Sequence, residues 1–159
     1  MIGAALLDAN LLVLLVVGSA SRAYIARHDR LDSYDEDDFD LLVELIGSFA
    51  DIVVLPHVWT EVDHLVRSGG LRYPATQQVL DKLQTLIEST TECPTPSASG
   101  AVRSEFARLG LADSVMLHFL DLEARDVPVT LITADHELAN AASAHGYDVI
   151  DYPFDLRHG

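Results

Sequence analysis

Short apolar runs alternate along this chain with longer segments of helical periodicity. Residues 2–7 read as a first strand, and Asn10 is a suitable N-cap for the apolar helix that follows. That helix continues or breaks near Gly18 before the chain reaches Arg30. Phe39, Leu42, Val43, Leu45, Ile46 and Phe49 recur at helical spacing, and residues 52–55 form a compact β-branched run, a second strand. Pro56 opens a helix from its first turn, where its missing N–H does no harm. Val58, Val62, Leu65 and Val66 give that helix its buried face, and Gly69-Gly70 ends it. Pro74 starts another helix, with Val79, Leu80, Leu83, Leu86 and Ile87 facing inward. Residues 90–93 are a short third strand, and residues 94–100 a loop or the lead-in to a helix of Val102, Phe106 and Leu109 that Gly110 breaks. The next helix, with Asp113 at or near its start, buries Val115, Met116, Phe119, Leu120 and Leu122. Residues 128–133 form a strand, residues 135–144 a helix and residues 147–151 a last strand.

Strands separated by helices imply a parallel sheet covered on both faces. The predicted architecture is therefore α/β, three layers α/β/α, with residues 1–159 as one domain. Such sheets place ligand sites beyond the carboxyl ends of their strands. Asp8 and Asp135 follow apolar runs that read as buried strands. Glu61 lies five residues after Pro56, about one and a half turns into a helix that starts at the same edge. Asp113 begins a helix whose N-terminus belongs there too. These acids, widely spaced in sequence, can converge on one edge. Gathered carboxylates repel and lose hydration, so a site of this kind usually exists to hold a divalent cation.

Each of these residues also has a plainer use. Asp8, Asp113 and Asp135 suit helix starts as caps. Asp63 competes with Glu61 for the inward position, although the core face set by Val58, Val62 and Leu65 favours Glu61. His57, His64, His118, His136 and His145 form no HExxH or equivalent pair. The aspartate-rich set suits hard, oxygen-preferring ions, and it does not suit zinc.

The segments LLDANLL around Asp8, LPHVWTEVDHLV around Glu61, LGLADSVML around Asp113 and LITADHELANAASAHGYDVI around Asp135 together resemble the PIN domain family. Within it they resemble the small stand-alone ribonuclease toxins of the VapC type. The resemblance spans essentially the whole chain. It implies a five-stranded parallel sheet and hydrolysis of single-stranded RNA. It further implies that Asp8, Glu61, Asp113 and Asp135 surround one or two Mg²⁺ or Mn²⁺ ions. Asn10 matches the Asn or Ser common after the first acid, and Thr133 the hydroxyl residue two places before the last. Toxins of this type are normally encoded beside a small antitoxin, and homodimers are common among them. The interval from Asp8 to Glu61 is longer here than in the compact toxins.

Composition narrows the setting. The chain has 159 residues, 49% of them hydrophobic, enough for one core without staples. Its single cysteine, Cys93, excludes an internal disulfide framework and suits a reducing cytoplasm. The apolar stretch 4–17 is interrupted by Asp8 and Asn10, lacks a preceding basic segment and is too short to span a bilayer, so no membrane association is expected. The formal net charge of −15 opposes non-specific affinity for nucleic acid, which rests on Lys and Arg. Much of it is local. Residues 32–40 carry six acids, read as a solvated loop and acidic helix start, or as a docking surface for a basic partner. Two other functions compete with a nuclease: a non-catalytic PIN-like module that works by protein contact, and an α/β phosphatase with Asp8 as nucleophile. The second usually wants Asp-x-Asp, and Asn10 stands at that position.

Overall fold

A computed structural model describes residues 3–123 and 126–153. Its centre is a five-stranded, all-parallel sheet in the order β3-β2-β1-β4-β5. The strands are β1 (Ala4–Leu7), β2 (Asp51–Val54), β3 (Thr91–Glu92), β4 (Val129–Thr133) and β5 (Asp148–Asp151). Helices α1 (Ala9–Ala20), α2 (Glu36–Ile46), α3 (Pro56–Arg67), α4 (Ala75–Ser89), α5 (Ser97–Ala101), α6 (Phe106–Leu109), α7 (Leu111–Glu123) and α8 (His136–Ala144) connect and cover them. Among the described residues, no helix is long and apolar enough to cross a membrane.

The central strand is buried over its whole length, with Ala5, Leu6 and Leu7 sealed from solvent. Such a strand must be covered on both faces, which explains its continuous apolar run. α1 is apolar on nearly every side because it too is enclosed, its residues 11–17 all buried. β1 pairs with β2 on one side and β4 on the other, Leu6 standing opposite Val53 and Leu131. The strand order reverses at this point, between β1 and β4, the place where parallel sheets of this kind bind ligands beyond their carboxyl ends.

Several boundaries differ from the sequence reading. The N-cap of α1 is Asp8, whose carboxylate accepts from Leu11 N at 3.1 Å; Asn10 lies exposed within the first turn. α3 ends at Arg67, with Ser68 rather than the glycine pair as its C-cap. The helix expected through Val102, Phe106 and Leu109 is split into α5 and α6, leaving Val102 83% and Phe106 39% exposed. Leu122 and Ile87 also face solvent, since the apolar stripes of α7 and α4 are wider than the surface that covers them. The acidic stretch does form a helix start: Asp35 and Asp38 make a reciprocal capping box. Asp38 is nevertheless buried, and the Tyr152 hydroxyl donates to its main-chain carbonyl.

Candidate metal centre

β1 and β4 end side by side, and each hands its chain to a helix capped by an aspartate. Asp8 follows β1 and caps α1; Asp135 follows β4 and caps α8. Asp8 is almost wholly buried, and both its oxygens are occupied. Oδ1 accepts from Leu11 N, while Oδ2 accepts from the Thr133 hydroxyl and from Ala134 N at 3.1 Å. Burial pushes the Asp8 carboxyl above the ordinary aspartate range, and Asp135 adds to this, while the three hydrogen bonds pull the other way. Asp135 Oδ1 accepts from Glu137 N at 2.9 Å and from Leu138 N at 3.2 Å. The capping use of these residues is thus real, and it fixes both carboxylates at the sheet edge.

Asp113 enters from a different direction. Gly110, at φ 89°, makes the turn between α6 and α7, a left-handed conformation that side chains rarely adopt. α7 then starts at Leu111, so Asp113 falls in its first turn. Asp113 is half-buried, and among the described residues its carboxylate accepts no hydrogen bond. It is therefore not a cap. Its carboxyl is pushed up to about 7, first by burial and then by the charges of Asp135, Asp8 and Glu61. Glu61 projects from the second turn of α3 and is exposed. Asp63 points elsewhere, paired with Arg67 at 2.9 Å on the outer surface.

Asp8, Glu61, Asp113 and Asp135 all line one cleft of about 370 Å³, together with Asn10 and the chain from Leu109 to Ala112. The acids placed at this edge by the sequence pattern do share a wall. Carboxylates offer only acceptor oxygens, the donor set that hard divalent cations prefer. Among the described residues, however, no three His, Cys, Asp or Glu side chains are grouped tightly enough to hold a metal ion. Uncompensated carboxylates repel, and two of these are tied to backbone N–H groups. The pair without hydrogen-bond partners among the described residues, Asp113 and Glu61, is the pair able to swing inward. The chemistry of the donors fits Mg²⁺ or Mn²⁺; closing the site requires those two side chains to turn.

Tyr34 adds an element that the sequence did not suggest. It is half-buried, and burial, followed by the charges of Asp8 and Asp38, raises its phenol above the ordinary tyrosine range. Tyr34, from the long interval between Asp8 and Glu61, thus lies close enough to Asp8 to feel its charge. His136 does not line the cleft; it binds Asp151 at 2.6 Å on the surface. A larger cleft of about 670 Å³ opens at the opposite sheet edge, beside Pro128, His145 and Asp148, remote from the four acids.

The sequence matches no protein-family model, and no curated protein is significantly similar to it.

Proposed function

We propose that this chain is a PIN-type, metal-dependent endoribonuclease that hydrolyses phosphodiester bonds of single-stranded RNA, and that it is the toxin of a cytoplasmic toxin–antitoxin pair. The observation that supports this reading best is electrostatic. Four acids from four separate elements face one cleft at the switch point of a parallel sheet, where burial, and then the charges of the other three, push the Asp113 carboxyl up to about 7. A fold maintains such a costly arrangement where a cation relieves it.

Asp8, Asp113 and Asp135 would hold Mg²⁺ or Mn²⁺, and Glu61 would hold a water beside it or orient the nucleophile. When bound, the ion supplies positive charge that offsets the phosphoryl oxygens and makes water more acidic. Asp8 and Asp135 contribute fixed carboxylates, since their helix-capping hydrogen bonds lock their rotamers. Glu61 and Asp113 contribute adjustable ones. A phosphatase with Asp8 as nucleophile is less well supported, because Asn10 stands where that chemistry usually has a second acid.

The net charge of −15 favours a second reading, a PIN-like module that binds a basic partner such as an antitoxin and leaves the acid cleft unused. Incubation of the purified chain with single-stranded RNA, in Mg²⁺ or Mn²⁺ and in EDTA, separates the two. Metal-dependent cleavage that disappears in Asp113→Asn supports the nuclease. Absence of cleavage by wild type in either metal selects the module.

A further inference from the structure

A helix leaves its last carbonyls without helical partners, and α3 has one of them taken up by a side chain from far back in the chain. His28 stands between two 3-10 turns, Arg22–Arg27 and Asp29–Leu31. Its Nε2 lies 3.2 Å from the Val66 carbonyl oxygen, and its Nδ1 3.3 Å from Arg30 N. A carbonyl only accepts and a backbone N–H only donates. The ring is therefore neutral with its proton on Nε2, because that form alone satisfies both contacts. A second proton would sit on Nδ1 and face the Arg30 N–H, donor against donor.

Nothing around the ring compensates for an added charge. His28 is buried and packs against Gly69, and among the described residues no carboxylate bonds to it. Asp29 and Arg30, on its own turn, act on it with opposite signs. The end of α3 presents the Val66 carbonyl; its charged side chains there, His64 and Arg67, are exposed, and Arg67 is paired with Asp63. α1, on which both turns pack, is apolar from Leu11 to Val17. α2 turns Glu36 and Asp40 to Arg22, and α4 turns the neutral Gln78 to Tyr24. Burial, the largest influence, holds the imidazole below the ordinary histidine range.

The turn that carries these contacts is lightly held. Arg22–Arg27 is tied to α2 and α4 through Arg22 and Tyr24, whereas in Asp29–Leu31 only Leu31 is buried. A 3-10 turn closes with poorer hydrogen bonds than an α-helix. Besides His28, the ties to the end of α3 are Asp29 N donating to the Gly69 carbonyl at 2.8 Å and the exposed Arg30 donating to the Ser68 hydroxyl. Segments with so few buried contacts open locally, at a fraction of the free energy of global unfolding.

We propose that His28 is an acid-sensitive latch: its protonation frees the turn Asp29–Leu31 from the end of α3, in a local opening that leaves the parallel sheet folded. The opening uncovers Leu31 and the Val66 carbonyl. It is independent of the ribonuclease reading, since no acid of the cleft takes part.

Native-state hydrogen exchange at pH 7 and pH 5, over a series of low urea concentrations, tests the latch in wild type, His28→Gln and Gly69→Ala. In wild type, protection factors at Asp29, Arg30 and Leu31 should be about tenfold lower at pH 5 than at pH 7, because the opened form takes up a proton that the latched form excludes. They should respond to urea far less than the amides of β1 and β4, as a local opening does. His28→Gln keeps one donor and one acceptor but cannot titrate, so Asp29 and Leu31 should hold their pH 7 protection at pH 5. Gly69→Ala crowds the ring out and should lower protection of the same amides by about tenfold already at pH 7. Equal protection at pH 5 and pH 7 in wild type, or the same acid loss in His28→Gln, would overturn the latch. So would turn amides that follow the sheet amides in urea, since the opening would then be global. The wild-type responses to pH and urea decide even if the glutamine variant is already open at pH 7.

Discussion

The Thr133 hydroxyl donates to Asp8 Oδ2 from the neighbouring strand, and Thr133 Oγ1 in turn accepts from Asp135 N at 3.0 Å. One buried side chain therefore ties together the two aspartates that end β1 and β4. Thr133 is completely buried. Its bond to Asp8 favours the ionised carboxylate, against the burial that disfavours it.

Replacing Thr133 by Val keeps the shape and removes the hydroxyl. Asp8 should then lose a donor in a buried place, and its carboxyl should rise further. The expected cost is about 1–3 kcal/mol in urea unfolding at neutral pH, the range for a buried polar group left short of a partner. Thr133→Ser should retain most of the stability. Equal stability of the Val and wild-type proteins would show that the link carries no weight.

Asp113→Asn should stabilise the metal-free protein while abolishing cleavage. The folded-state carboxyl sits at about 7, against 3.8 for an unperturbed aspartate. The folded chain therefore binds more protons than the unfolded chain between these values, and stability from this group falls as pH rises through the window. Asparagine removes that loss. In EDTA at pH 8 the variant should be more stable by about 1–3 kcal/mol, less than the full shift because solvent and counter-ions screen the site. RNA cleavage should fall by about 100-fold or more, at least as much as loss of an outer-shell partner. A melting series from pH 4 to 8 in EDTA, run beside a cleavage assay, checks both.

Mg²⁺ or Mn²⁺ at millimolar concentration should raise the melting temperature above its value in EDTA. An ion at about 100 times its Kd stabilises the folded state by about 2.7 kcal/mol. The increase should shrink in Asp113→Asn and in Glu61→Gln. Identical melting with metal and with EDTA would argue for an unused cleft.

Glu105 gives acid sensitivity at a second place. Contacts with His145 and Arg103 hold its carboxyl at about 2, below the ordinary 4.5. Here the sign is opposite to that of Asp113: stability is present above about 4.5 and is lost as pH falls toward 2. Glu105→Gln should flatten the stability profile over that window in urea titrations monitored by circular dichroism. It should also loosen α6, seen as faster amide exchange at Leu109.

His28 is buried, its Nε2 3.2 Å from the Val66 carbonyl and its Nδ1 accepting from Arg30 N at 3.3 Å. Burial lowers its pKa, so the unfolded chain takes up the proton first and stability falls as pH drops below about 6.5. The ring fits because residue 69 has no side chain; a Cβ there would stand 1.9 Å from Nε2. Gly69→Ala should cost about 1–3 kcal/mol by overpacking. It should leave metal binding at the distant acid cleft unaltered, which calorimetry can verify.

The order of strands and helices was legible in the chain itself, because each element buries a face and so carries its period in the pattern of apolar residues. β2, β4 and α3 fall within a residue or two of the expected positions, and the acids at 8, 61, 113 and 135 were recognisable as strand-end and helix-start residues. Periodicity says nothing of which strands are neighbours. The order β3-β2-β1-β4-β5, which brings Asp8 beside Asp135, emerges only when the sheet assembles. Local pattern also left Asp8 and Asn10 as rival caps, and Glu61 and Asp63 as rival acids. The structure decided both: Asp8 caps α1 through Leu11 N while its second oxygen goes to Thr133 across the sheet, and Asp63 pairs with Arg67 one turn along the same helix while Glu61 lines the cleft. The same holds for Glu105: nothing in its local pattern points to His145, forty residues on, yet a buried charge must meet its partners wherever the fold has placed them.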